Sequence, residues 1–204
     1  MKQIIKKERD YSEITPEIKK YAKLCNADCK INPKLYIEHK VNRGLRDLNG
    51  NGVLTGLTEI SEIVSKKKNA DGTEEPCEGK LYYRGYDIED LVSGFVREGR
   101  FGFEEVTYLL LFGVLPNKDE LKKFNDTLVS YRSLPDSFTR DIIMKAPSTD
   151  VMNSLARSVL TLYAYDNNPN DTSVPNILRQ CLQLIATFPM LSVYSYLSYN
   201  YYIK

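Results

Sequence analysis

Histidine and tryptophan are the scarcest residue types in this chain of 204 residues. Tryptophan is absent, and histidine occurs once, as His39. Histidine is the side chain that most often moves protons in catalysis near neutral pH, so the chain has little material for such chemistry. His39 lies between Glu38 and Lys40, a polar setting that predicts a surface residue rather than a catalyst. No Gly-rich phosphate loop, GxSxG or HExxH motif is present, and no catalytic residue is assigned.

Cysteines are few and scattered along the sequence. They are Cys25, Cys29, Cys77 and Cys181, and no two of them form a CxxC pair. Cys25 and Cys29 are one helical turn apart, a spacing that could supply half of a metal site. A matching second pair of Cys or His ligands is missing from the sequence. The pattern therefore favours free thiols and no bound metal.

Neither sign of charge dominates the composition. Lys and Arg together number 28 and Asp and Glu 27, so no basic excess points to a nucleic-acid partner. Apolar runs stop short of the roughly 18 uninterrupted residues of a membrane helix. The start, MKQIIKKERDYSE, has too short an apolar stretch for a secretory signal. We therefore expect a cytoplasmic protein with no membrane partner.

The hydrophobic pattern changes twice along the chain. Residues 1–14 are charged and aperiodic, which predicts a flexible tail. Residues 50–84 combine glycines, β-branched residues and the turn dipeptide Asp71-Gly72, so they predict a β-ribbon with a loose tip over 66–79. The lysines at 66–68 are expected to be solvated in that tip. Residues 85–204 read as helix throughout.

Helix-capping signals mark where several helices begin. Thr15-Pro16 and Asn32-Pro33 each place a capping side chain before a proline at the first turn. Asp87 is expected to cap a short helix, and Asn117 with Glu120 resembles a capping box. An apolar helix over 103–112 and a further helix ending near 145 complete the middle of the chain.

Two long apolar helices are predicted at about 148–166 and 173–202. Ser148 or Thr149 is expected to cap the first and Ser173 the second. Apolar side chains cover well over half of the first helix's circumference, which is too wide for a helix lying on a surface. They are Met152, Leu155, Ala156, Val159, Leu160, Leu162 and Tyr163. We expect this wide surface to form a contact with a second subunit, which charges at Leu155 or Val159 should break; packing on the earlier helices as an ordinary core is the alternative.

An ordered series of segments resembles the citrate synthase family. Residues 79–91 (GKLYYRGYDI, then Leu91) resemble its strand-turn-helix stretch, and 103–116 its next helix with a Gly-x-x-Pro exit. Breaks at Leu134-Pro135 and Ala146-Pro147-Ser148 come at matching intervals, and LIATFP at 184–189 resembles a family helix with a proline. The match runs from about residue 40 to 202. It implies a mostly α-helical fold, namely the N-terminal part of the citrate synthase large domain with a small β-ribbon.

The resemblance implies an acyltransferase as the full-length enzyme. The family condenses acetyl-CoA with oxaloacetate to give citrate and CoA at the entry to the tricarboxylic acid cycle, and relatives make 2-methylcitrate from propionyl-CoA. The CoA thioester is a substrate, and no cofactor is implied. The family's catalytic aspartate and two histidines lie in its C-terminal half, so this chain is expected to be a truncated segment, inactive alone. A natural, non-catalytic helical interaction module is the alternative.

One substrate-binding residue and one partner also follow from the resemblance. The family binds CoA phosphates through an arginine in an Arg-Gly pair before the β element, and Arg43-Gly44 matches that position. Arg46 is an equal candidate nearby, while Arg84 of the rival pair Arg84-Gly85 is expected to anchor a turn. The family forms dimers through antiparallel helices, which implies a homodimer through the last two helices here.

Overall fold

The computed structural model describes residues 12–28, 30–42, 44–46 and 53–204. These residues separate into two compact units. One unit contains the described part of residues 1–23 together with residues 125–204, and the other contains residues 24–124. The ribbon and the helices up to residue 124 thus belong to one unit. Most of the predicted tail over 1–14 lies outside the described residues.

The predicted β-ribbon is present in the unit of residues 24–124. Strand β1 (Ser61–Lys68) pairs antiparallel with β2 (Glu74–Tyr83), and the short β3 (Tyr86–Asp87) pairs with β2. The loose tip predicted over 66–79 is shorter than expected, since the lysines at 66–68 lie in β1 and β2 begins at Glu74. They face Pro76, Glu75 and Glu74 across the ladder, and such opposite-charge pairs stabilise a strand. Beyond residue 87 the described residues contain no strand.

The helices of this unit begin where the capping signals place them. Helix α2 (Pro33–Glu38) is capped by Asn32, α3 (Ile88–Arg97) by Asp87, and α4 (Phe103–Phe112) ends at Gly113 with a left-handed φ of 76°. Helices α1 (Pro16–Asp28) and α5 (Lys118–Tyr131) extend across the boundaries between the units. The core of the unit contains an edge-to-face cluster of aromatic rings, Tyr108, Phe112 and Phe124.

Of the two cysteines that could begin a metal site, the structure describes Cys25. Cys25 is buried on α1, and its thiol donates a hydrogen bond to the carbonyl oxygen of Leu111 at 3.4 Å. Cys29 lies outside the described residues. Across the described ranges, no group of three or more His, Cys, Asp or Glu side chains is placed to hold a metal ion.

The second unit is built on two long helices, α6 (Val151–Leu162) and α7 (Val174–Tyr202). Helix α6 is shorter than the predicted 148–166, and its cap is Asp150, whose carboxylate accepts from the backbone N–H of Asn153 at 3.0 Å. Ser148 was the wrong cap, because its hydroxyl instead accepts from the N–H of Asp150 in the preceding turn. The helix predicted to end near 145 is a single π-helical turn, Thr139–Met144.

Helix α7 begins after Ser173, as predicted, and continues through Pro189 to Tyr202. By length and composition alone it is apolar enough to cross a membrane. A helix in the core of a folded domain has the same composition, and α7 buries both Leu182 and the charged Arg179. Its composition therefore says nothing about a membrane.

The wide apolar surface predicted for α6 has two different environments. Leu155 and Leu162 pack against a buried cluster of Phe138, Ile143 and Leu191. Met152 and Leu160 point outward, with 74% and 76% of their surface exposed. The most deeply buried positions on the helix are serines, Ser154 and Ser158.

Candidate functional site

The arginine predicted to bind CoA phosphates, Arg43, lies outside the described residues. Arg46 is exposed. Arg84 anchors a turn, as the sequence predicts. Its guanidinium is buried, donates a hydrogen bond to the carbonyl oxygen of Leu110 at 3.1 Å and lies 3.7 Å from the carboxylate of Asp28. Because its guanidinium is buried in these contacts, Arg84 is not positioned to bind a phosphate.

The single histidine is exposed, as the sequence predicts. His39 follows α2 as its C-terminal cap, where its backbone N–H donates to the carbonyl oxygen of Leu35 at 2.9 Å. This position directly after a six-residue helix leaves the imidazole side chain at the surface.

A buried polar network lies at the start of α7, and its centre is Arg179. The side chain of Arg179 is 0% exposed, and a charge in such a place must be paired to be tolerated. It donates to Asp166 Oδ2 at 2.6 Å, to Asn176 Oδ1 at 2.7 Å and to Gln183 Oε1 at 2.9 Å. We call the set of Ser12, Asp166, Asn176, Arg179, Gln180 and Gln183 the Arg179 network.

The carboxylate of Asp166 is fully engaged within this network. Its Oδ1 accepts from the Ser12 hydroxyl at 3.0 Å and from the N–H of Asn168 at 2.9 Å. Its Oδ2 accepts from Arg179 and, at 3.0 Å, from Gln180 Nε2. Burial acts to raise the pKa of Asp166, but these donors outweigh it and hold the pKa below its ordinary value. A carboxylate with four donors has no oxygen left to act as a base.

A cavity of about 240 Å³ opens beside the network. It is formed within the unit that contains α6 and α7. Its walls come from α5, α6, the 3-10 turn Tyr163–Tyr165, the loop over 166–173 and α7. The lining side chains are Tyr131, Ser133, Val159, Leu162, Tyr163, Tyr165, Asp166, Pro169, Gln180, Gln183, Leu184 and Thr187. Apolar walls with a few polar groups at one side are typical of a binding site for a small molecule.

Sequence reasoning missed both the network and the cavity. Asp166 stands in a polar loop with Asn167 and Asn168, which reads as an ordinary turn. Arg179 lies in an otherwise apolar helix, and this isolated charge on a predicted core helix was the one available signal. It indicates that a buried partner must exist but not which residue supplies it.

The matching family model is described as "Citrate synthase, C-terminal domain" and covers residues 47–201. A 2-methylcitrate synthase from Corynebacterium glutamicum is 34% identical over 154 residues, which is 75% of this chain and 34% of that relative. A citrate synthase from the same organism is 37% identical over 147 residues, 71% of this chain and 30% of the relative. The chain spans about a third of the length of the curated relatives it matches.

Solved structures agree with the sequence relatives. Citrate synthase from Pyrobaculum aerophilum aligns with a TM-score of 0.57 at 26% identity, covering 76% of this chain and 38% of that chain. Citrate synthase from Thermoplasma acidophilum, solved as a ternary complex with carboxymethyl coenzyme A and oxaloacetate, aligns with a TM-score of 0.57 at 23% identity, covering 78% of this chain and 36% of that chain. The architecture is therefore the mostly α-helical citrate synthase fold. With the family match over 47–201, the chain belongs to the citrate synthase family.

Proposed function

We propose that this chain is the N-terminal segment of a cytoplasmic citrate synthase, an acyltransferase that condenses acetyl-CoA with oxaloacetate into citrate and CoA. The observation that carries the proposal is the family match over residues 47–201. The placement in the N-terminal part rests on the resemblance of the sequence, whereas the matched model is described by the family's C-terminal domain. Where the chain falls along the length of its relatives stays a prediction.

The choice of acyl-CoA is open between two substrates. The C. glutamicum citrate synthase and 2-methylcitrate synthase are about equally similar to this chain, at 37% and 34% identity. A 2-methylcitrate synthase segment that takes propionyl-CoA is therefore the second candidate. One extra methylene in a substrate is discriminated by only about 1–3 kcal/mol, so a few pocket residues can decide it.

Catalysis by this chain alone is not expected. Removing a proton beside a thioester needs a positioned base, and the enolate and the ketone each need a hydrogen-bond donor. The resemblance places the family's aspartate and two histidines for these tasks beyond residue 204. In the described part of the chain, His39 is exposed on a short helix and Asp166 is saturated by four donors.

Release of free thiol from acetyl-CoA or propionyl-CoA in the presence of oxaloacetate tests this expectation. We predict no release above the blank from the purified chain when circular dichroism shows it to be helical. Any turnover contradicts the expectation. Turnover that survives His39→Ala would in addition place an active site elsewhere in this chain.

The gene sequence beyond codon 204 separates the enzyme from the alternative of a non-catalytic interaction module. An open reading frame with a histidine in a Gly-rich stretch and a later aspartate supports the enzyme. A stop codon supports the module.

The proposed partner of the chain is a second copy of itself, bound through α6 and α7. The support is the set of apolar side chains that these helices expose, among them Met152, Leu160, Val193, Leu197 and Tyr201. Contiguous exposed apolar surface on a folded domain usually marks an interface. A symmetric dimer buries the same surface on both copies. The mass of the chain in solution tests this pairing.

A further inference from the structure

The cavity beside the Arg179 network has the size of a site for a small ligand. Its volume of about 240 Å³ is equivalent to about eight water molecules at roughly 30 Å³ each. Val159, Leu162 and Leu184 form an apolar wall, and Tyr131, Tyr163 and Tyr165 bring aromatic rings to it. A bound molecule would thus have an apolar body of a few carbon atoms.

Two polar side chains on the wall, Gln180 and Tyr163, can each accept a further hydrogen bond. Gln180 donates through Nε2 to both Asp166 Oδ2 at 3.0 Å and the carbonyl oxygen of Pro169 at 3.2 Å. Because both partners are acceptors, that terminal atom must be the nitrogen, and the other is the carbonyl oxygen Oε1. Among the described residues, no donor bonds to Oε1. Tyr163 donates its hydroxyl hydrogen to Asn170 Oδ1 at 3.2 Å, which leaves its oxygen able to accept.

Among the residues that the structure describes, no positively charged side chain lines the cavity. None of the lining side chains is a lysine or an arginine. The nearby Arg179 is 0% exposed and is paired with Asp166 at 2.6 Å, so the two charges offset each other. The described lining therefore offers an anion no cationic group, which disfavours a phosphate-rich ligand such as CoA. The faces of tyrosine rings are instead negative and attract cations.

We propose that this cavity binds a small organic ammonium ion. Its apolar body occupies the wall of Val159, Leu162 and Leu184, and its charge is stabilised by the tyrosine side chains and by Gln180 Oε1. The proposal does not depend on citrate synthase activity, because every residue it uses lies within one compact unit of this chain. Disproof of the proposed enzyme function would not affect the ligand proposal. Disproof of the ligand proposal would likewise not affect the enzyme function.

Titration calorimetry of the purified chain with three isosteric probes tests the class of ligand. The probes are choline, its neutral analogue 3,3-dimethylbutan-1-ol and the anion 3,3-dimethylbutanoate. We expect choline to bind, the neutral analogue to bind about tenfold more weakly and the anion not to bind. Equal affinity for the neutral analogue, preference for the anion, or no binding of choline overturns the proposal.

Paired variants test the place of binding. Val159→Phe fills the cavity and should abolish choline binding, whereas Leu160→Phe at the neighbouring outward position should leave it unchanged. Tyr163→Leu, at a half-exposed lining residue that tolerates change, should weaken binding about tenfold. Tyr196→Leu, similarly exposed but not in the lining, is its control. Unchanged choline binding in both Val159→Phe and Tyr163→Leu contradicts this location.

Discussion

At the scale of single residues, Arg179 shows how one charge can organise a loop. Its guanidinium has no contact with solvent, so its partners must be held in place by the surrounding chain. Asp166 reaches it from the loop before α7, while Asn176 and Gln183 reach it from α7 itself. Ser12 adds a contact from a distant part of the sequence. The loop is thereby fixed to the helix by hydrogen bonds rather than by apolar burial.

Replacing Asp166 by asparagine should destabilise the protein in a pH-dependent way. At pH 7 the change removes the carboxylate charge that pairs with the buried Arg179, a loss of about 3 kcal/mol in the free energy of unfolding. The pKa of Asp166 lies below the ordinary value near 4. The charged carboxylate therefore stabilises the folded protein fully above that value, and this stabilisation is lost as pH falls through the folded-state pKa. The difference in free energy of unfolding between parent and variant should therefore be smaller at pH 3 than at pH 7. Urea unfolding at both pH values measures it.

Asp136→Asn at an exposed position serves as the control for that experiment. It should change the free energy of unfolding by no more than about 0.5 kcal/mol at pH 7. A destabilisation by Asp166→Asn that is the same at pH 7 and pH 3 would show that the carboxylate's charge is not what stabilises the network.

Arg43 can be tested only in the complete enzyme. If it binds a CoA phosphate, Arg43→Ala removes a charge-assisted hydrogen bond and should raise the KM for the acyl-CoA about tenfold or more. The KM for oxaloacetate should not change. Arg46→Ala is the matched comparison, since the sequence offers both arginines as candidates. If Arg46→Ala has the larger effect on the acyl-CoA KM, the assignment to Arg43 is wrong.

At the scale of elements, local signals in the sequence predicted where helices begin but not which side of them is buried. Caps at Asn32, Asp87 and Asn117 act within a few residues, so the sequence determines them locally. The buried face of α6 depends on what packs against it. The small side chains of Ser154 and Ser158 are buried on α6, a helix that packs against α7. Apolar side chains at Met152 and Leu160 remain outside.

The extent of the β-ribbon also depends on contacts between residues that are distant in sequence. Its polar lysines at 66–68 indicate a loop when read alone. Pairing with the glutamates of β2 makes them part of a strand, and that pairing joins residues that are several positions apart. The cavity and the Arg179 network were missed for an equivalent reason, because their residues come from separate elements.

Enlarging a buried serine on α6 should therefore cost stability. Ser158 is 1% exposed, so Ser158→Leu forces a bulky side chain into a packed interface and should lower the free energy of unfolding by about 1–3 kcal/mol. Ala156→Leu on the exposed side of the same helix should be within about 0.5 kcal/mol of the parent. Chemical denaturation of both variants measures this. If Ala156→Leu is the more destabilising, the orientation of α6 is wrong.

At the scale of the whole molecule, association with a second copy is the property we propose for this chain by itself. Family membership rests on the match over 47–201, and the chain spans about a third of the length of its relatives. The orientation of α6 also changes which variants can test the association. Leu155 packs on the core cluster and Val159 lines the cavity, so a charge at either position would act on folding as well as on pairing.

The most direct measurement is the mass of the purified chain in solution by light scattering. One copy has a mass of 23.4 kDa, and we predict twice that value for the parent protein. Met152→Glu and Leu160→Glu should shift it toward one copy, because each places a charge in the proposed interface. Ile63→Glu, at an equally exposed apolar position on the ribbon, should leave the mass unchanged. A parent protein with the mass of a single copy, or a dimer that neither α6 charge weakens, would contradict the account.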